Sequence, residues 1–138
     1  MASLLRSDNT GKLLVRLAVG GLMLFHGIFK LTHGVGFIQG MLAAHGLPGF
    51  IAYGVYVGEI LAPILVIIGF RTRLAALIVA FDMVMAIWLA HAANVFKVKE
   101  SGGGWGIELE VFYLLAAVAL FFMGAGQYAV SKGKSVWD

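Results

Sequence analysis

Four long apolar stretches constrain this chain more than any other feature. An α-helix needs about 20 consecutive apolar residues to cross the hydrocarbon core of a bilayer, and each stretch comes close to that length. The sequence therefore predicts an all-α integral membrane protein, a four-helix bundle formed by one domain over residues 1–138. Its spanning helices are expected at about residues 13–31, 50–69, 72–93 and 106–127.

The composition also points to lipid as the solvent. Of 138 residues, 61% are hydrophobic and only 12% are charged, which is too few charges to cover a water-soluble core of this size. The net charge of +3 is small and the basic residues lie beside apolar stretches, so the bilayer, and not nucleic acid, is the expected partner. The chain contains no cysteine, so any redox role must use a bound cofactor or a partner protein.

The connections between the stretches predict the topology. Residues 32–49 are apolar and glycine-rich, which favours a short interfacial segment between the first two helices. Residues 94–105 are polar and glycine-rich, as in a flexible loop, and residues 129–138 form a short polar tail. Cations gather on one side of the predicted bundle (Arg6, Lys12, Arg16, Arg71, Arg73, Lys132, Lys134) and are fewer on the other (Lys30, Lys97, Lys99).

This cationic bias predicts the orientation in the membrane. Lys and Arg near helix ends favour the cytoplasmic side. Both termini are therefore expected in the cytoplasm, with the connections 32–49 and 94–105 facing outward, as in a multi-pass protein of a bacterial inner membrane.

Several ionisable residues fall inside the apolar stretches, where charges are costly and usually face the bundle interior. With a rise of about 1.5 Å per residue, Glu59 and Asp82 lie near the midplane and His26 lies nearer the outer surface. Lys30 is predicted either to extend toward the outer headgroups or to balance a nearby carboxylate. The remaining members lie near the outer interface: His91, Glu108 and Glu110.

Helical geometry separates some of these side chains. Glu108 and Glu110 are about 200° apart around a helix, so only one of them can point fully inward. Asp82 and His91 are about 180° apart by the same geometry, and they can line one pocket only where the helix end unwinds. Pro63 is expected to kink the second helix and to free a backbone carbonyl near Glu59.

An ordered set of short motifs carries a family resemblance. The set is "HGIFKL" in the first helix, "GLPG" in the first connection, "GE" in the second helix, "GFRTRLAAL" across the next turn, His91, and "FFMGAGQY" at the end of the fourth helix. In this order they resemble the DoxX family of small four-helix membrane proteins, from about residue 13 to residue 128. Members of that family are usually described as oxidoreductases or quinone-linked subunits, one branch working with a partner subunit in thiosulfate:quinone oxidoreduction.

The resemblance also implies site residues. It places the family's recurrent polar positions at His26, Lys30, Glu59, His91 and Glu108, and spacing to Tyr113 favours Glu108 over Glu110. Asp82 does not belong to this pattern. In the family, the fourth helix usually continues with a basic residue, Tyr, Ser and, shortly afterwards, an Asp. This chain departs from that ending, because the same places hold Gln127, Tyr128, Ala129 and Ser131.

Two classes of function remain open from the sequence. In the first, the chain is a quinone-linked oxidoreductase subunit with His26, Glu59 and Glu108 as catalytic groups and His26, Lys30 and His91 as cofactor ligands. In the second, it is a non-catalytic membrane anchor or partner subunit whose polar residues satisfy one another.

A metal or haem site at His26 and His91 is less favoured, because their depths differ. A proton or solute pathway would require a homo-oligomer.

Overall fold

The structure, a computed structural model, describes residues 7–138, so Arg6 and the rest of the N-terminal end lie outside the described residues. Within that range the chain forms helices and no named strand, which confirms the all-α prediction there. The predicted segment between the first two long helices is a short helix, α2. The five helices are α1 (Asp8–His33), α2 (Gly36–Ala44), α3 (Gly49–Ile68), α4 (Thr72–Asn94) and α5 (Glu108–Met123).

Three of these helices, α1, α3 and α4, are long and apolar enough to cross a membrane. The fourth predicted span is shorter than expected, because α5 has 16 residues and does not extend to Gln127. Gly124 ends it with φ 73° and ψ −173°, a conformation that glycine adopts without the steric cost of a side chain. A straight helix of this length is about 24 Å long, less than the roughly 30 Å of a hydrocarbon core.

Large apolar side chains cover the outside of the bundle. Phe25 is 74% exposed, Phe112 70% and Phe122 72%. Such a surface would be costly in water and is the normal exterior of a helix bundle in lipid. The chain is therefore a membrane protein by the length and apolarity of its helices and by the surface that they present.

Two glycines on α1 allow it to approach α3 closely. A Cβ atom built on Gly20 would lie 2.7 Å from the carbonyl oxygen of Pro63, and one on Gly27 would lie 2.6 Å from Cγ1 of Ile60 and even closer to the carbonyl oxygen of Glu59. Close backbone approach of this kind holds helices together in lipid, where hydrophobic burial contributes little.

We expect Gly27→Ala to destabilise the bundle. The added methyl group meets backbone atoms of α3 that cannot move independently, and overpacking of this kind costs about 1–3 kcal/mol. Gly21→Ala is the matched control, since a Cβ there meets nothing within 4 Å and alanine favours helix. Thermal unfolding in detergent should show a lower Tm for Gly27→Ala only; equal melting of the two variants would contradict the packing argument.

Residues 124–138, which include the predicted short polar tail, fold back over the turn between α3 and α4. The backbone N–H of Val130 donates to the carbonyl oxygen of Ile68 at 3.0 Å, and the Ser131 hydroxyl donates to that of Gly69 at 2.8 Å. The N–H of Arg73 donates to the carbonyl oxygen of Trp137 at 2.9 Å. The first two bonds satisfy carbonyl groups that the end of α3 leaves without helical partners, and the third satisfies an N–H in the first turn of α4.

Arg16 completes this end of the bundle. Its side chain is 1% exposed and its guanidinium group donates to four backbone carbonyl oxygens at 2.6–3.0 Å, those of Val66, Ile67, Ala125 and Tyr128. Five fixed N–H donors suit such a set, and a cation is favourable beside the C-terminal end of a helix. We call this region, formed by Arg16, the 69–71 turn and residues 124–138, the Arg16 end.

The opposite end carries α2 and the connection between α4 and α5. This connection, predicted as a loop, forms a small hairpin. The N–H of Lys99 donates to the carbonyl oxygen of Gly104 at 2.7 Å, and the N–H of Gly106 donates to that of Lys97 at 2.8 Å. The Trp105 indole donates to the carbonyl oxygen of Val95 at 2.6 Å. We call this region, formed by α2 and residues 95–107, the hairpin end; the site described next lies in that half of the bundle.

Candidate functional site

An ion pair between α1 and α3 stands at the centre of the site. The Lys30 ammonium group donates to Oε1 of Glu59, and the two side chains are 15% and 5% exposed. Lys30 therefore points into the bundle toward a carboxylate rather than toward the headgroups. This contact explains why an apolar helix carries a lysine at that position: the buried carboxylate of Glu59 needs a cation.

A local widening of α3 positions Glu59. Pro63 has no N–H to donate to the preceding turn, and the N–H of Ala62 bonds five residues back to Val57, so residues Val57–Leu61 form a π-helical turn. The predicted irregularity near Glu59 is thus a π turn, a feature that is frequent at functional sites. Gly27 accommodates the displaced Glu59 carbonyl on the facing helix.

A second π turn, over Ile87–His91, ends the regular part of α4. The sequence predicts that Asp82 and His91 can line one pocket only where this helix unwinds, and here it does. His91 has φ −125° and ψ 10°, and its Nε2 atom lies 3.2 Å from Oε1 of Glu110. This second contact ties the end of α4 to the first turn of α5.

Glu110, and not Glu108, is the carboxylate that α5 presents to the site. Glu108 is exposed and its carboxylate lies over Gly104 in the hairpin, which corrects the preference for Glu108. Because α5 begins at Glu108, the two carboxylates leave the first turn in nearly opposite directions. Sequence spacing showed that only one could point inward, but the rotation of α5 about its axis decides which one.

His26 lies at the edge of the same group of side chains. Its ring contacts that of Tyr113 edge to face, with centroids 6.0 Å apart. Tyr113 is 6% exposed and was not predicted as a site residue. Its phenol group can donate one hydrogen bond within the site, although a tyrosine within an apolar helix gives little sign of this in the sequence.

These residues surround a polar cavity of about 170 Å³. The polar cavity brings together four predicted site residues, His26, Lys30, Glu59 and His91, and adds Glu110 and Tyr113. Apolar side chains complete the wall: Met23, Met83, Ala86 and Leu109. Among residues 7–138, no group of three or more His, Asp or Glu side chains is arranged to hold a metal ion.

A larger apolar cavity of about 430 Å³ lies on the other side of the Lys30–Glu59 pair. It is bounded mainly by α2, α3 and α4, and Lys30 reaches it from α1. Lys30, Glu59, Asp82 and His91 are the ionisable residues that line it. The other lining residues are apolar, among them Phe37, Met41, Ile51, Val55, Phe81 and Leu89.

The two cavities share part of their walls. Lys30, Glu59, Ala86 and His91 line both, so the ion pair separates an apolar compartment from a polar one. An amphipathic ligand in the apolar cavity would therefore meet apolar walls together with a few ionisable groups. Pockets that bind small molecules commonly have this character, with apolar walls and a few convergent polar groups.

Comparison with known proteins identifies the class to which this fold and site belong. The DoxX family matches residues 11–92, and the chain belongs to that family, as its motifs indicated. No solved structure matches the chain.

Two relatives extend the match to almost the whole chain. An uncharacterized protein of Haemophilus influenzae is 33% identical over 121 residues, covering 86% of this chain and 86% of the relative. A Bacillus subtilis protein named "Putative oxidoreductase CatD" is 33% identical over 133 residues, covering 94% of this chain and 93% of the relative.

Proposed function

We propose that this DoxX-family protein is a quinone-linked oxidoreductase subunit whose ligand binds in the apolar cavity. One observation carries the proposal: a cavity of about 430 Å³ has mostly apolar walls and is also lined by Lys30, Glu59, Asp82 and His91. A quinone has the matching chemistry, an apolar ring with two carbonyl oxygens that accept hydrogen bonds. The name of the Bacillus subtilis relative supports an oxidoreductase role.

The residues present fit such a ligand. The volume is within the range of about 300–1,000 Å³ for small-molecule sites, and Lys30 and His91 are N–H donors on the cavity wall. When bound, a quinone would accept two electrons and two protons. Because the chain has no cysteine, we assign the electron supply to a partner redox protein.

The chain's own residues would bind the ring and manage protons. The Lys30 ammonium group stabilises negative charge on the cavity wall, and Glu59 is placed to give or take a proton there. His91 and Glu110 lie between this point and the hairpin end, and His26 and Tyr113 border the same polar cavity. Acid–base groups thus line the polar cavity that adjoins the ion pair.

A blocked cavity tests the proposal. Gly54 lines the apolar cavity and a Cβ there meets nothing within 4 Å, so Gly54→Phe should fill the space without a clash. With menadione as the probe in detergent, we expect the parent to melt at a higher temperature with added quinone, because ligand binding stabilises the folded state. Gly54→Phe should lose this shift.

The control for this experiment is Gly40→Phe. Gly40 is also exposed, on α2, and a Cβ there likewise meets nothing within 4 Å, but it does not line the cavity. Its quinone-dependent shift should equal that of the parent. No shift in the parent, or equal shifts in both glycine variants, would refute binding in the apolar cavity.

The proposal includes a topology of four spans, with both termini in the cytoplasm of a bacterial cell and the hairpin end outside its inner membrane. The cations of the Arg16 end support this orientation. Since the chain has no cysteine, Ser101→Cys and Lys134→Cys each introduce a single thiol. A membrane-impermeant maleimide should label intact cells at position 101 only, and position 134 only after permeabilisation. Labelling of position 134 in intact cells would contradict either the orientation or the fourth span.

A second candidate function is a non-catalytic anchor or partner subunit. The Lys30–Glu59 ion pair and the His91–Glu110 contact favour it, because these polar side chains have partners within the bundle without a ligand. This candidate predicts that removing the charge of Glu59, as in Glu59→Gln, leaves the rate of electron transfer unchanged.

A further inference from the structure

Asp82 lies beside the central ion pair, although neither the family resemblance nor the proposed function assigns it a role. Its side chain packs directly on α3, where a Cβ atom built on Gly58 would lie 2.6 Å from Cγ of Asp82. The next residue on α3 is Glu59, and Glu59 and Asp82 line the same cavity. Gly58 therefore allows the carboxyl group of Asp82 to lie against α3 beside Glu59.

One oxygen atom of each carboxyl group lacks a hydrogen-bond partner. Oε2 of Glu59 and Oδ2 of Asp82 are inaccessible to solvent, and neither bonds to any of the residues 7–138. Lys30 reaches only Oε1 of Glu59. Two ionised carboxylates and one ammonium group would leave one uncompensated negative charge in a buried place, which is strongly unfavourable.

A single proton removes both difficulties. Held by one carboxyl group, it makes an O–H donor for the other and so satisfies two buried acceptors with one hydrogen bond. It also reduces the charge of the carboxyl pair to −1, which the Lys30 ammonium group balances. Two carboxyl groups in one site commonly behave in this way, because both cannot ionise at low cost.

We propose that Glu59 and Asp82 share one proton at neutral pH, with Lys30 as the counter-ion. Lys30 faces the pair from α1, and His91 lines the same cavities from the end of α4. Across the polar cavity stand His26 on α1 and Glu110 and Tyr113 on α5. The proton exchanges with the hairpin end through this polar cavity, and Asp82 is a proton-holding residue whether or not a quinone binds.

Infrared difference spectroscopy of the purified protein, with no quinone added, tests this inference. A protonated carboxylic acid has a C=O stretching band that a carboxylate lacks, and the band shifts in D₂O. We expect the parent to show such a band at neutral pH and to lose it when the pH is raised. Both Asp82→Asn and Glu59→Gln should abolish it, because each leaves one carboxylate paired with Lys30.

The control is Glu100→Gln, which removes an exposed carboxylate from the hairpin and should leave the band intact. Absence of a D₂O-sensitive band from the parent would overturn the proposal, and that measurement needs no variant. Loss of the band in Asp82→Asn but not in Glu59→Gln would show a proton on Asp82 alone, and would overturn the sharing. Failure of quinone binding would leave the band unchanged, so the two proposals fail separately.

Discussion

Arg16→Met should lower the free energy of unfolding by about 3–5 kcal/mol. Each buried acceptor that loses its partner costs about 1–3 kcal/mol, and not all of the four carbonyl groups that Arg16 contacts can find another donor. The guanidinium group joins α1 to the last turn of α3 and to residues 124–138 through these carbonyl oxygens. Methionine fills a similar volume but donates no hydrogen bond. Denaturation in detergent, followed by helicity, measures the loss.

Arg71→Met provides the control for this prediction. Arg71 is exposed, and its guanidinium carbon lies 5.8 Å from the centre of the Phe70 ring, so the loss should be small. Arg16→Lys should remain close to Arg16→Met, because an ammonium group cannot reproduce the planar set of donors. Stability of Arg16→Met equal to that of the parent would show that the carbonyl contacts contribute little.

Glu59→Gln should reduce quinone-linked electron transfer about 100- to 10,000-fold, the usual contribution of a positioned acid–base group. The amide keeps the shape and polarity of the side chain but removes its charge and its titrating proton. Removing one partner of a buried ion pair normally destabilises a protein, but here the carboxyl group of Asp82 lines the same cavity as Lys30 and can replace Glu59 as its counter-ion, so melting should stay close to that of the parent. Membranes that contain equal amounts of each variant, supplied with a reductant and a soluble quinone, provide the comparison.

The control is again Glu100→Gln, which should transfer electrons at the parent's rate. A parental rate in Glu59→Gln, together with higher melting, would end the redox-site proposal and favour the non-catalytic partner subunit. A fall in both rate and melting would instead point to misfolding. In that case, the quinone-dependent melting shift of folded Gly54→Phe remains the test of the cavity.

The sequence by itself determined the solvent, the helical class and the family, because each depends on local composition or on short ordered motifs. Apolar stretches of about 20 residues have few alternatives to membrane helices. It also singled out Lys30, Glu59 and His91, because ionisable residues at such positions are costly unless they face partners. Even the irregularity near Glu59 was predictable, since Pro63 cannot donate the hydrogen bond that a regular helix requires.

Only the tertiary structure decided which of these residues meet. The choice of Glu110 over Glu108 depends on the rotation of α5, and the early end of that helix at Gly124 depends on contacts that residues 124–138 make with Arg16 and the 69–71 turn. Asp82 meets Glu59 because Gly58 removes a side chain between two helices. Such pairings join residues distant in the chain, and their geometry is set by how helices rotate and approach one another, which no single stretch of sequence specifies.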